Sequence, residues 1–126
     1  MVTALYAGLI ALLYLFLSYN VVLARRSQRV SVGDGGDKLV RKRMRTHANC
    51  AEYAPIGLIL LMLVEMQGMP LWLVHVFGLI LLAGRLAHAY GFGSTPQIVP
   101  LRKLGMYLTL LMIICTAVVN IGYAIL

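Results

Sequence analysis

Four long apolar runs constrain the fold of this chain more than any other feature of its sequence. They extend over residues 2–24, 48–66, 71–89 and 104–126. A helix needs about 20 apolar residues to cross the hydrocarbon core of a bilayer, and each run is close to that length. The runs therefore predict an all-α membrane protein in which four transmembrane helices form one bundle.

The composition supports a membrane location and leaves room for a single domain. Of the 126 residues, 61% are hydrophobic and 12% are charged. A soluble domain of this size exposes a large share of its surface and cannot hide so much apolar area. A soluble enzyme, a disordered tail and a secreted disulfide scaffold are excluded on these grounds. We predict one domain over residues 1–126, with helices at approximately 2–24, 38–67, 70–90 and 101–126.

The positive charges predict how the bundle lies in its membrane. Eight of the eleven Lys and Arg residues lie between Arg25 and Arg45, and Arg102 with Lys103 opens the fourth run. The positive-inside rule places both basic segments in the cytoplasm, so both termini are expected on the opposite side. The first run precedes its positive charges and lacks a cleavage site, which is typical of a retained helix. Because the charges flank membrane helices without a nucleic-acid motif, we expect no nucleic-acid partner.

A stripe of polar residues enters the second apolar run. Asp37 is a predicted N-cap, and Arg45, Asn49 and Glu52 follow it, with spacings of four and three residues between them. On a helix these spacings place the three side chains on one face. Pro55 lacks a backbone donor, so we expect a kink or a frayed turn just beneath Glu52.

Glu52 has two interpretations, because an ionised carboxylate inside a bilayer is costly unless it is paired or faces water. In the first, it pairs with Arg45 or Arg85 and locks the bundle. In the second, it belongs to a binding site. Arg85 and His88 are one turn apart in the third run, so polar groups from several helices gather toward the cytoplasmic half. Such a set predicts a pocket for an anionic ligand that also carries an amine or amide donor.

Glutathione has the groups that this set would bind. Its two carboxylates suit arginine side chains, and its amino group suits Glu52. A guanidinium beside its thiol favours the thiolate, which is the nucleophilic form. The thiolate can attack an electrophile dissolved in the bilayer, and this chemistry requires no metal. We therefore expect glutathione as cosubstrate, a lipophilic small molecule as second substrate, and no metal site.

Several segments carry a family resemblance. The segment RMRTHANCAEYAP, residues 43–55, presents a family pattern of Arg, Asn and Glu on Arg45, Asn49 and Glu52. ARRSQRVS follows the first run, and GRLAHAYGF and PLRK belong to the third and fourth. Together these segments resemble the MAPEG superfamily, the membrane-associated proteins in eicosanoid and glutathione metabolism, over essentially the whole chain. Short bacterial members of the inner membrane are the most similar.

The resemblance implies a homotrimer of left-handed four-helix bundles, with glutathione bound between adjacent subunits at the cytoplasmic half. It also implies a multi-pass protein of the bacterial inner membrane, with both termini in the periplasm. Arg102 takes the place of the catalytic arginine that stabilises the thiolate. The implied glutathione contacts are Arg25, Arg45, Asn49, Glu52, Tyr53, Arg85 and His88.

The chain departs from the family pattern at two positions of the implied site. Phe92 stands where many members have a tyrosine, and Lys103 stands where some have a serine. Tyr90 is a candidate replacement for the missing tyrosine, although it lies about 160° away on an ideal helix.

Three functions are open at this point. The first is glutathione transferase or peroxidase activity toward lipophilic electrophiles. The second is glutathione binding or a structural membrane role without catalysis. A small multidrug transporter is the weakest of the three, because its proton-coupling carboxylate is expected in the first helix and the first run has no acidic residue.

Overall fold

Four long α-helices make up the computed structural model, which describes residues 1–126. They are α1 (Val2–Gln28), α2 (Lys38–Met66), α3 (Leu71–Gly93) and α4 (Val99–Ile125). Each is long and apolar enough to cross a membrane. The predicted all-α architecture with four spans is confirmed. α1 and α3 continue past their predicted ends, and α2 runs unbroken through Pro55.

The turns at the basic end of α1 and α2 follow from local chemistry. α1 ends at Arg29, whose left-handed backbone (φ 56°) closes the last turn. The predicted N-cap of α2 is confirmed, because the Asp37 carboxylate accepts a hydrogen bond from the Val40 N–H at 2.9 Å. Between them Asp34 forms a salt bridge with Arg41 at 2.8 Å. This hydrogen bond holds the pKa of the Asp34 carboxyl below its usual range.

The helices pack so that two of them are central. α2 and α3 contact each other, and both contact α1 on one side and α4 on the other. α1 and α4 do not touch. Groups carried by these two outer helices are therefore held on opposite sides of the α2–α3 pair.

Hydrogen bonds at the two ends of the bundle show an up-and-down topology. At one end the Glu65 carboxylate accepts hydrogen bonds from the N–H groups of Val2 and Thr3, which begin α1. At the other end the Lys42 ammonium donates to the Ser94 carbonyl, at the α3–α4 connection. Both termini and the α2–α3 turn thus share one end, and the basic loop lies at the other. The side of the membrane that each end faces stays a prediction.

α3 and α4 approach each other closely at glycines. A Cβ atom added at Gly105 would collide with the His88 backbone nitrogen and with the Gly84 carbonyl oxygen. A Cβ atom at Gly91 would meet the Arg102 backbone nitrogen at 2.5 Å. Small residues allow such backbone contact, which is a common source of stability between helices in lipid. The contact at Gly91 also places Arg102, at the start of α4, beside the last turn of α3.

We predict that Gly105→Ala lowers the free energy of unfolding by about 1–3 kcal/mol, because its methyl group forces two backbones apart. Gly122→Ala is the matched control in the same helix, since nothing lies within 4 Å of its Cβ position. That variant should be neutral or slightly more stable, because alanine favours a helix. Thermal unfolding in detergent measures both, and equal melting temperatures would contradict the close contact.

Candidate functional site

The Arg85 side chain forms the buried centre of the candidate site. It is 1% exposed, and its Nε donates a hydrogen bond to the Thr109 hydroxyl at 3.0 Å. Its Nη1 donates to the Asn49 side-chain oxygen at 2.6 Å, and its Nη2 lies 3.4 Å from the Met106 sulfur. The Tyr53 ring lies 5.7 Å from the guanidinium carbon. One guanidinium thus joins α2, α3 and α4.

No carboxylate compensates the Arg85 charge within the chain. The chain contains one salt bridge, between Asp34 and Arg41 in the basic segment. Glu52 therefore pairs with neither Arg45 nor Arg85 within the chain. An ion pair that locks the bundle, which was one interpretation of Glu52, is not observed there. Arg85 lies about 21 Å along α3 from Leu71, within the roughly 30 Å of a bilayer core. A charge at this depth is costly.

The outer face of α2 carries the other two residues of the polar stripe. We define this face by Arg45, Glu52, Ile56 and Ile59, whose side chains are all exposed. Neither charged side chain makes a hydrogen bond or a salt bridge within the chain. Glu52 lies about 21 Å from the end of α2 at Met66, so its carboxylate reaches the depth of Arg85. The apolar side chains of Ile56 and Ile59 on the same face indicate that this surface does not face bulk water.

A second polar cluster lies where α3 meets α4. The Arg102 guanidinium lies over the Phe92 ring, with 4.2 Å between its central carbon and the ring centre. It also donates to the Gln97 side chain at 3.0 Å. The His88 ring is buried and lies 5.7 Å from the Phe92 ring, centre to centre. Phe92 therefore holds Arg102 through a cation–π contact and not through a hydroxyl group.

Two further positions are separated from this cluster. Tyr90 lines a groove with Asn20 of α1 and Arg43 of α2, so it does not take the place that Phe92 occupies. Arg25 donates to the Gly33 carbonyl at 3.1 Å and is directed toward its own loop. Since α1 and α4 do not touch, a single chain does not bring Arg25 to Arg102.

The structure therefore divides the predicted residues into four groups. Asn49, Tyr53 and Arg85 lie together, and His88 is linked to Arg102 through Phe92. Arg45 and Glu52 face outward on α2, and Arg25 lies apart on α1. A single chain therefore does not bring all of these residues into one pocket, and the predicted site between subunits stays a prediction.

Sequence reasoning missed the groups on α4 that surround the buried guanidinium. Thr109 is fully buried and donates a hydrogen bond to the Gly105 carbonyl at 2.8 Å, so its oxygen is free to accept from Arg85. Met106 supplies a polarisable sulfur. Thr109 is an isolated polar residue in an apolar run, which was a usable signal. Nothing in the sequence pointed to Met106, because a methionine is ordinary in an apolar run.

Comparison with known proteins finds a family and close relatives. The MAPEG family matches residues 3–122. The inner membrane protein YecN of Escherichia coli (strain K12) is 42% identical over 123 residues, which cover 98% of this chain and 92% of that protein. YecN of Escherichia coli O6:H1 gives the same identity and the same coverage. The name of these relatives gives a location and no activity.

The Asn49 side chain bonds to the buried charge of Arg85, so replacing Asn49 should destabilise the protein more than replacing an asparagine that bonds to neutral groups. We expect Asn49→Leu to lower the free energy of unfolding by about 1.5–3 kcal/mol, because a hydrogen bond to a charged group is lost. Asn120→Leu is the matched control, since the Asn120 side chain bonds only to neutral groups: it donates to the carbonyls of Leu60 and Thr116 and accepts from the Gln67 amide. That variant should lose about 0.5–1.5 kcal/mol. Unfolding in detergent compares the two, and an Asn120 variant that loses as much would contradict the role of Arg85.

Proposed function

The chain belongs to the MAPEG family, and from this membership we propose that it is an integral membrane protein that binds glutathione. We further propose that it acts as a transferase or peroxidase on lipophilic electrophiles. The site lies between the subunits of a homotrimer. The membrane is the bacterial inner membrane, with both termini in the periplasm, as the basic loop and the YecN relatives support.

One observation carries this proposal: the charged side chains of Arg45 and Glu52 are exposed on a membrane helix and have no partner in their own chain. Glu52 lies about 21 Å from Met66 at the end of α2, and lipid at that depth cannot solvate its carboxylate. A second copy of the chain would cover the apolar part of this face. A ligand with both an anionic and an amine group would satisfy its charges.

The separation of Arg25 from Arg102 supports a shared site. The two arginines lie on helices that do not touch, on opposite sides of the α2–α3 pair. In a ring of three copies, α1 of one subunit would meet the α4 side of the next. Arg25 would then complete the set that Arg102 begins. A trimer thus accounts for residues that one chain leaves apart.

The chemistry of the donor set fits glutathione. Arginines suit its two carboxylates, and Glu52 suits its ammonium group. The Asn49 amide is held by Arg85 through its oxygen, and its N–H groups have no acceptor in the chain. These N–H groups are free to donate to a bound carboxylate or peptide carbonyl. Arg85, at 1% exposure, acts in this subunit by positioning Asn49.

Arg102 is the residue that we assign to catalysis. Glutathione supplies a thiol whose thiolate forms a bond to an electrophilic carbon and displaces a leaving group. With a peroxide, the thiolate instead takes one oxygen to give a sulfenic acid and an alcohol, and a second glutathione converts the sulfenic acid to the disulfide and water. Arg102 would hold the sulfur as the thiolate by its positive charge. Phe92 and Gln97 restrict the guanidinium, so that its charge is oriented before the substrate arrives.

A glutathione-binding protein without catalysis is the second candidate. Phe92 favours it, because the ring holds Arg102 but has no hydroxyl group to donate to a sulfur or to a second substrate. Binding and turnover therefore need separate experiments.

The binding proposal predicts that glutathione raises the melting temperature of the detergent-solubilised protein. A ligand at 100 times its Kd stabilises the native state by about 2.7 kcal/mol. Arg45→Ala and Glu52→Ala should each abolish the rise, whereas Arg26→Ala, an exposed arginine outside the site, should keep it. Size-exclusion chromatography with light scattering should show a trimer for all four proteins. No rise for the wild type, or an undiminished rise for Glu52→Ala, would contradict the proposal.

The catalytic proposal predicts a selective effect of Arg102. We expect Arg102→Ala to lower kcat for conjugation of chlorodinitrobenzene about 100-fold, because the thiolate loses the positive charge that the Arg102 guanidinium directs toward it. The KM for glutathione should change far less, and Arg102→Lys should recover part of kcat. Arg26→Ala is the control, since Arg26 is an exposed arginine at the same end of the bundle and lies outside the site. Equal kcat values for the wild type and Arg102→Ala would remove Arg102 from this role, and a wild type that binds without turnover would establish the second candidate.

A further inference from the structure

A groove between α1, α2 and α3 is separate from the candidate glutathione site. It encloses about 350 Å³ near the basic end of the bundle. Its apolar wall consists of Leu13, Phe16, Leu17, Leu86 and Ala89. α4 does not contact α1 and does not line it. We call this feature the α1–α3 groove.

Three side chains with unused hydrogen-bonding groups, one from each helix, form the rim of the α1–α3 groove: Asn20, Arg43 and Tyr90. The hydroxyl groups of Thr46 and Ser94 also line it, and they donate to backbone carbonyls. The Asn20 amide and the Tyr90 hydroxyl make no hydrogen bond within the chain. Arg43 makes one, through Nη1 to the Gly93 carbonyl at 3.3 Å, and its other N–H groups are unused. Unused donors thus converge at one end of an apolar groove.

The charge around this rim is positive and uncompensated. None of the four acidic residues lines the groove. Asp34 is paired with Arg41, and Asp37 caps α2. Glu65 bonds to the start of α1 at the opposite end of the bundle. An anionic group is therefore the complement of this rim, and a zwitterionic headgroup would bring a cation that finds no carboxylate there.

The order of polar and apolar groups along the groove matches a lipid in its membrane orientation. Asn20 lies about 27 Å along α1, near the edge of the bilayer core, and Leu13 lies about 10 Å deeper. A phosphate at the rim would accept charge-assisted hydrogen bonds from the unused N–H groups of Arg43. An acyl chain would then follow the apolar wall inward.

We propose that the α1–α3 groove binds an acidic phospholipid, with its phosphate on Arg43 and one acyl chain along Leu13 and Leu86. Basic pockets between transmembrane helices on the cytoplasmic side are suited to such headgroups. Arg43 and Arg45 are two residues apart and project about 160° from each other around α2. The lipid site therefore does not depend on the proposed glutathione site.

Phosphatidylglycerol and phosphatidylcholine with identical acyl chains test the proposal on the whole protein in neutral detergent. Native mass spectrometry would measure bound lipid, and thermal unfolding would confirm that each variant is folded. The wild type should bind phosphatidylglycerol more tightly. Arg43→Gln should weaken that binding about tenfold, because charge-assisted hydrogen bonds are lost. Arg26→Gln, which removes an exposed arginine at the same end, should have a smaller effect, as diffuse attraction predicts.

A second pair of variants tests the apolar wall without a change of charge. Ala89→Phe fills the groove and should lower the binding of phosphatidylglycerol. Ala83→Phe places the same ring on an exposed position of α3 outside the groove and should not.

Three results would overturn the assignment. They are equal binding of the two phospholipids, a loss in Arg43→Gln no larger than in Arg26→Gln, and binding of oleate that depends equally on Arg43. The thermal shift produced by glutathione should persist in Arg43→Gln, so failure at one site is distinguishable from failure at the other.

Discussion

The fold is organised around one positive charge that the bilayer cannot solvate. Arg85 is buried at a depth where lipid offers no hydrogen bonds, and neutral groups on its neighbours replace water. Because these groups come from α2 and α4, one guanidinium determines how three helices are placed around it. The glycine contact between α3 and α4 brings Thr109 within reach. The polar centre and the close packing are thus two parts of the same arrangement.

The contrast between Arg85 and Glu52 separates charges that the chain satisfies from charges that it presents. Both lie about 21 Å from the end of the bundle that contains the α2–α3 turn. One is enclosed by hydrogen-bond acceptors, and the other faces outward beside Ile56 and Ile59. A membrane protein retains an exposed charge at this depth when another molecule covers it. That difference, more than the presence of the residues, distinguishes a binding surface from a structural one.

Periodicity and charge predicted the features that depend on short stretches of chain. The four spans follow from apolar run lengths, and the Asp37 cap follows from a local hydrogen bond. Contacts between helices did not follow, because sequence spacing does not say which helix faces which. The Thr109 partner of Arg85 and the gap between Arg25 and Arg102 depend on the packing of α4. The same limit applies to Tyr90, because the groove that its side chain lines exists only once α1 is packed against α2 and α3.

α2 acts as a partition at the basic end of the bundle. Arg43 faces the groove beside α1 and α3, and Arg45 faces outward toward the proposed subunit interface. The helical repeat sends two nearby arginines to opposite surfaces, so a short basic segment presents positive charge on both faces of the helix. A small bundle cannot place separate ligands within its own core. In the two proposals made above, the ligands lie instead on the two faces of a central helix, one covered by lipid and the other by a second copy of the chain.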